Sequence, residues 1–346
     1  MNSKKRIVSA AMGIAIAAVM IFVFDEGKKE QPVYRVEQGK VFGTYYTIRY
    51  EAASDLKDSL SAAFAEFDAS LSMFNPRSTL SAINANRDTT TDAFFESMFA
   101  EAERVWRLSG GAFDISVAPM VNYWGFGTRA RESRAATTEA QIDSLRAFVG
   151  FEKIQLVNHR IVKSDPRVML DAGAVAKGQA CDVVAAMLAR NGCTNYLVEI
   201  GGEIVCRGVN AKGEKWHIGI TKPVEGTSQH QSLQEVLAVS DLKMATSGNY
   251  RNFYYDKGER RSHTIDPRTG RPVVHSLLSA TVVSSSCMRA DALATACMVL
   301  GAEEALDLIR RANEEDKAQG SETACYLIIA QGDTLNIVTS PNWTIN

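Results

Sequence analysis

An α+β fold with a largely antiparallel sheet is predicted by three observations. Strand-like and helix-like segments come in clusters and not in strict alternation, which argues against the parallel sheets built from βαβ units. Hydrophobic residues make up 46% and charged residues 23% of the 346 positions, the proportions of a chain with a sizeable core. After residue 41 neither a fixed-period repeat nor a Pro-rich or Ser-rich linker divides the chain, so residues 41–346 are expected to form one domain.

The amino terminus is of another kind. Lys4, Lys5 and Arg6 in a basic flank (1–6) precede an apolar run (7–24) broken only by Ser9 and Gly13 and stopped by Asp25 and Glu26. As a helix this run spans about 27 Å, close to the thickness of a bilayer core. Bulky Ile21, Phe22, Val23 and Phe24 stand where a small-x-small cleavage pattern would lie, and no cysteine follows to accept a lipid. An uncleaved anchor is therefore expected over a cleaved signal. The positive-inside rule keeps the flank in the cytoplasm and puts the domain on the outer, periplasmic face of the inner membrane. Residues 25–40, polar and charged, read as a tether.

The elements of the domain follow from periodicity. Residues 42–50 alternate aromatic and β-branched side chains, a strand signature. Leu56, Leu60, Phe64, Phe67 and Leu71 recur at three- and four-residue steps, so a helix follows. Further helices are expected over 94–108 and 138–148, the latter opened by Thr137 or Thr138 as cap, and an alanine-rich helix over 178–190. Strands are expected at 196–200, 203–208, 216–221, 235–240, 279–285, 325–330 and 334–338, with a helix pair within 288–310.

Composition excludes some functions. Lys plus Arg number 38 against 40 Asp plus Glu, a formal charge of -2, without the basic surplus of a nucleic-acid binder. The six cysteines include no C-x-x-C pair, so a zinc knuckle or a thioredoxin-type site is not expected. They read as buried thiols, with a Cys193–Cys206 disulfide as the alternative in an oxidising compartment. Dinucleotide, P-loop, zincin and nucleophile-elbow motifs are absent. Ser240-Asp-Leu-Lys243 fits S-x-x-K, a pattern short enough to arise by chance.

Several stretches hold more Gly, Asp, Thr and His than a core needs. Residues 110–116 (GGAFDIS) set a turn beside a carboxylate, and 121–127 (VNYWGFG) crowd aromatics among glycines, as suits a flat ligand. Residues 171–178 (DAGAVAKG) lead into a helix, where Lys177 either faces an anion at the helix N-terminus or is a solvated lysine after a turn. Residues 245–250 (ATSGNY) and 262–270 (SHTIDPRTG) read as turn-rich, and His263 among Ser, Thr, Asp and Arg is not easily a core histidine. In 290–296 (ADALATA) Asp291 and Thr295 are four apart on one helix face. They either share one hard cation, or Thr295 back-bonds to its own helix and Asp291 is a first-turn charge.

Taken in order, FGTYYTI (42–48), SMFNPRSTLSAIN (72–84), GAFDIS (111–116), WGFG (124–127), DAGAVAKG (171–178), GGEI (201–204), ATSGNY (245–250), SHTIDPRTGRP (262–272) and ADALATA (290–296) closely resemble the ApbE family, the FAD:protein FMN transferases. The resemblance covers about residues 41–310. It implies a T-fold-like α+β architecture, FAD as substrate, Mg²⁺, and attachment of FMN through a phosphoester to a threonine of an exported or membrane-bound redox protein. By the same resemblance Asp291 and Thr295 supply metal-binding side chains and Ala174 a main-chain carbonyl. Phe42, Phe74, Ala112, Phe113, Asp114, Asp171, Lys177 and Ile265 match flavin-site positions, and His263 matches a catalytic histidine. Phe42 departs from the usual Met, Glu203 stands where Asn commonly follows the glycine pair, and the lipoprotein cysteine of many relatives is missing.

The residue types suit that chemistry. A divalent cation and Lys177 offset phosphate charge while an acceptor hydroxyl displaces AMP, and His263 takes the hydroxyl proton or stabilises the transferred group. Hydrolysis of FAD to FMN and AMP, or flavin binding without turnover, are the alternatives. The expected partners are FAD and acceptor proteins of membrane electron-transport complexes, reached through the membrane anchor.

Overall fold

The computed structural model describes residues 33–127, 138–223, 232–250, 253–256, 259–332 and 334–345. In chain order its elements are β1 (Val33–Val41), β2 (Thr44–Ala52), α1 (Lys57–Leu71), α2 (Thr79–Asn84), α3 (Ala93–Leu108), α4 (Ala118–Trp124), α5 (Glu139–Arg146), β3 (Ile154–Val157), β4 (Arg160–Lys163) and α6 (Ala176–Arg190). Then come β5 (Tyr196–Ile200), β6 (Glu203–Arg207), β7 (Trp216–Thr221), β8 (Leu233–Val239), β9 (Leu242–Gly248), β10 (Phe253–Asp256), β11 (Glu259–Ser262), β12 (Ile265–Asp266), β13 (Arg271–Pro272), β14 (Leu277–Val283), α7 (Cys287–Leu300), α8 (Ala302–Lys317), β15 (Ala324–Gln331) and β16 (Thr334–Thr339).

Eight strands form one sheet in the order β1-β2-β5-β6-β9-β14-β15-β16, with every neighbouring pair antiparallel. The period of two sends alternate residues to opposite faces. Tyr196, Val198, Ile200, Val205, Ala245, Ala280 and Val282 point into the main core with α1, α3, α6, α7 and α8. Leu197, Ile204, Cys206, Met244, Tyr326 and Ile328 face the other way, where Trp216, Ile218, Ile220, Leu237 and Val239 of the β7–β8 hairpin cover them. A third cluster joins Met120 and Trp124 of α4, Ile142 of α5, Val149 and Ile265. It holds the 262–272 segment against the helices.

The expected α+β antiparallel architecture is what the chain adopts, with corrections. Residues 33–40, expected as tether, are a strand: β1 pairs with β2 from Val33↔Ala52 to Val41↔Thr44. Phe42 and Gly43 close that hairpin, both at positive φ (51° and 76°) as a primed turn requires. Residues 245–248, read as turn, belong to β9 in the middle of the sheet. Of residues 121–127, read as loop, 121–124 belong to α4. The last helices run to Lys317, beyond the expected end, and β3–β4 was not anticipated. Thr138 caps α5 in a reciprocal box with Gln141, whereas residue 137 lies outside the described residues. All six cysteines are buried and free, which removes the Cys193–Cys206 alternative. Ser240 and Lys243 bond to separate carbonyls, of Gly208 and Ser285, so the S-x-x-K match builds no site. Among the described residues no helix is long and apolar enough to cross a membrane. The expected anchor (7–24) and the first part of the tether lie outside them.

Candidate active site

The site is assembled where α6 and α7 meet. Asp171 Oδ1 accepts a hydrogen bond from the Gly173 N–H at 2.7 Å, a local turn that aims the chain into α6. Lys177 stands in the first turn of that helix. Gly178 follows because α7 leaves no room: a Cβ there would lie 2.3 Å from the Cys287 carbonyl oxygen and 2.9 Å from Asp291 Cβ. The two helices cap each other. Asp291 Oδ2 of α7 accepts from the Gly178 N–H at 3.0 Å, and Asp182 of α6 accepts from the Cys287 and Met288 N–H groups at 3.1 and 2.9 Å. Each carboxylate satisfies N–H groups that a helix end leaves open.

A cavity of about 360 Å³ opens over this junction. Ala112, Phe113, Asp114, Asp171, Ala174, Lys177, His263, Ile265, Asp291 and Thr295 line it, so residues spread over the sequence from 112 to 295 converge as the motif series implied. Phe42 and Phe74 are not among the lining residues. Phe42 sits at its hairpin turn with the ring packed on Phe64 and Phe67, 5.9 and 5.4 Å between centroids. Phe74 is exposed, and its neighbour Met73 reaches the cavity in its place. Asp114 is tied to the backbone, with Oδ1 on the Ser116 N–H and Oδ2 on the Phe151 N–H, both 2.8 Å. Burial raises its pKa against those bonds.

Charge in the cavity is concentrated at Lys177. Its Nζ lies 3.1 Å from Glu203 Oε1 and 3.6 Å from Asp291 Oδ2, and donates to the Gly173 carbonyl at 3.3 Å. Burial favours the neutral amine, yet Asp291 and Glu203 outweigh it and hold the ammonium charged. Glu203 is driven upward by burial, while Lys177 opposes. Burial also raises Asp171. Thr295 does not back-bond to its helix: its hydroxyl is 3.1 Å from that of Ser247, brought there by the β9–β14 register that pairs Thr246 with Thr281. Asp291 is 2% exposed, too buried for a solvated first-turn charge. His263 is half-buried between Ser262 and Thr264, and the ring of Phe126 meets it edge to face at 6.3 Å. Ser247 is not marked by the sequence, and Glu203 only as a departure from the family pattern, because pairing across the sheet and across α6 is what gives them partners. Their motifs, ATSGNY and GGEI, were the available signal.

The oxygen donors suit a hard cation. Among the described residues no three His, Cys, Asp or Glu side chains converge as a closed metal site. Among the carboxylates and hydroxyls that line the cavity, Asp291 and Thr295 stand one turn apart on α7, and Ala174 lines it too. Such an incomplete, all-oxygen set fits Mg²⁺, which keeps waters and takes substrate phosphates as ligands. Glu203 Oε2, which also faces this cavity, is buried and without a hydrogen-bond partner.

Fold and site together define an antiparallel α+β protein with one cavity where apolar side chains, carboxylates, hydroxyls and a lysine meet. The ApbE family model matches residues 42–318, and the chain belongs to the ApbE family. It is 34% identical over 338 residues to the FAD:protein FMN transferase of Haemophilus influenzae, covering 93% of this chain and 92% of that protein. With the FAD:protein FMN transferase of Vibrio cholerae it shares 36% over 304 residues, 85% and 88% of the two chains. Among solved structures, the flavin transferase ApbE from Vibrio cholerae superposes with a TM-score of 0.78 at 33% identity, covering 90% of this chain and 98% of that one. The apo flavinyl transferase ApbE of Pseudomonas stutzeri gives 0.77 at 30%, covering 90% and 96%.

Proposed function

We propose that this chain is an FAD:protein FMN transferase that moves the FMN part of FAD onto a threonine hydroxyl of an acceptor protein and releases AMP. The observation that carries the reading is the convergence of Lys177, Asp291, Thr295 and His263 on one cavity. The names of relatives that align over most of the chain support it. In the reaction a bond forms between the threonine oxygen and the FMN-side phosphorus, the phosphorus–oxygen bond to AMP breaks, and the hydroxyl proton passes to a ring nitrogen of His263. Lys177 faces the diphosphate and offsets its charge. Asp291, Thr295 and the Ala174 carbonyl would hold Mg²⁺, which supplies charge neutralisation on the transferring group. Phe113, Ile265 and Phe126 offer the apolar surface that a flavin ring requires.

The place of action proposed with this function is the outer face of the inner membrane. There the apolar segment 7–24 would hold the domain in the plane of membrane-bound electron-transport acceptors and raise their effective concentration. Mass spectrometry of a candidate acceptor after incubation with the protein, FAD and Mg²⁺ tests the activity. The expected result is a phosphoester-linked FMN on one threonine with AMP released in step. AMP formed equally without acceptor would make the chain a hydrolase, and bound intact FAD without AMP would make it a carrier.

A further inference from the structure

We infer that Glu203 is the counter-ion that draws Lys177 away from Asp291, so that Asp291 keeps its charge for a cation. This rests on the reading of Asp291 and Thr295 as a cation site and adds a positioning residue to it. The lysine has three N–H donors. One reaches the Gly173 carbonyl at 3.3 Å, and as an ion pair the ammonium lies closer to Glu203 Oε1, at 3.1 Å, than to Asp291 Oδ2, at 3.6 Å. Asp291 Oδ2 takes its hydrogen bond from the Gly178 N–H instead. The lysine thus pairs more closely with one carboxylate while the backbone bonds to the other.

Glu203 has no competing duty among the described residues. It is 2% exposed, lines the cavity, and its second oxygen, Oε2, has no hydrogen-bond partner. A carboxylate that deep is costly unless paired, and Lys177 is the pair it has. Were position 203 neutral, Asp291 would be the carboxylate left in ion-pair range of the ammonium. A lysine settled on Asp291 would cancel its charge and compete with a cation for its oxygens. Lysine and cation both belong in this cavity only if a second carboxylate takes the lysine.

Mn²⁺ binding tests this, read by electron paramagnetic resonance on the full chain without FAD, so that the diphosphate contact given to Lys177 does not enter the comparison. Glu203→Gln, close in shape and lacking the charge, should weaken Mn²⁺ binding by about 10- to 100-fold, as loss of a group supporting a metal ligand does. Combining Glu203→Gln with Lys177→Met should restore the affinity, because the ammonium that the glutamate neutralises is gone. Wild-type affinity in Glu203→Gln overturns the inference, and loss without rescue overturns it too, by making Glu203 a direct ligand. If Glu203→Gln does not fold, Lys177→Met alone decides: it should bind Mn²⁺ at least as tightly as wild type, and weaker binding overturns the inference. Asp291→Asn separates this from the reading beneath it. Unchanged Mn²⁺ binding there removes the cation site itself, whereas loss there with Glu203→Gln unchanged removes only the role given to Glu203.

Discussion

Gly178 is the position where side-chain volume and function meet most directly. Since an added Cβ would press on the Cys287 carbonyl, which is backbone and cannot swing aside, Gly178→Ala must push α6 from α7. Overpacking of this kind costs about 1–3 kcal/mol. Urea denaturation should register that loss, and FAD affinity should fall with it, because α6 carries Lys177 and α7 carries Asp291. The capping bond refines the use of Asp291 as a probe. Asp291→Ala would remove a charge and also strand the buried Gly178 N–H, adding about 1–3 kcal/mol of instability. Asp291→Asn keeps an acceptor oxygen, so it should retain most of the stability while transfer falls; equal transfer rates in wild type and this variant would refute the assignment. His263→Ala should bind FAD and transfer FMN about 10²- to 10⁴-fold more slowly, as expected when proton handling is lost. Turnover retained with flavin affinity lost would make His263 a binding contact. Much of the site was legible in sequence because loops dense in Gly, Asp, Thr and His have little use in a core. Ser247 was not, since its partner Thr295 lies on a helix 48 residues further on.

At the scale of elements, helix α3 depends on one residue. Asp92 caps it through the Phe95 N–H at 3.0 Å and also accepts from the Ser70 and Thr79 hydroxyls, both at 2.6 Å, joining α1, α2 and α3. Burial works to raise its pKa, but those hydroxyl and backbone donors prevail and lower it. A carboxyl depressed in the folded state leaves the unfolded chain binding more protons, so stability from Asp92 is full above about pH 4 and is lost as pH falls through the folded value. Asp92→Ala should destabilise by about 2 kcal/mol near neutrality, with the gap from wild type narrowing in acid. A gap independent of pH would show that its ionisation is not what matters. The amphipathic helices were readable because their apolar faces repeat every turn, as in Leu60, Phe67 and Leu71. Strand β9 was not: Ser-Gly-Asn has turn chemistry, and only its place between β6 and β14 makes it a strand. β1 hid for the opposite reason, as an edge strand with neither face fully buried and so no clear alternation.

The whole molecule buries its sheet on both faces, with helices on one and the β7–β8 hairpin on the other. Because β1 enters this sheet at Val33, the polar spacer between the expected anchor and the folded domain is shorter than the sequence suggested. A topology reporter belongs ahead of that strand: alkaline phosphatase fused after residue 30 should be active, as export demands. An inactive fusion from cells whose acceptors are still flavinylated would place the chemistry in the cytoplasm. The exchange of carboxylates between α6 and α7 has its own outcome in time. Neither helix can fray at its start without releasing a bond that the other supplies, so the Gly178, Cys287 and Met288 amides should open as one unit. In deuterium their protons should therefore exchange together and only at the rate of global unfolding, and Asp182→Asn should quicken all three. The groups that handle the diphosphate would then be held in place for as long as the protein stays folded.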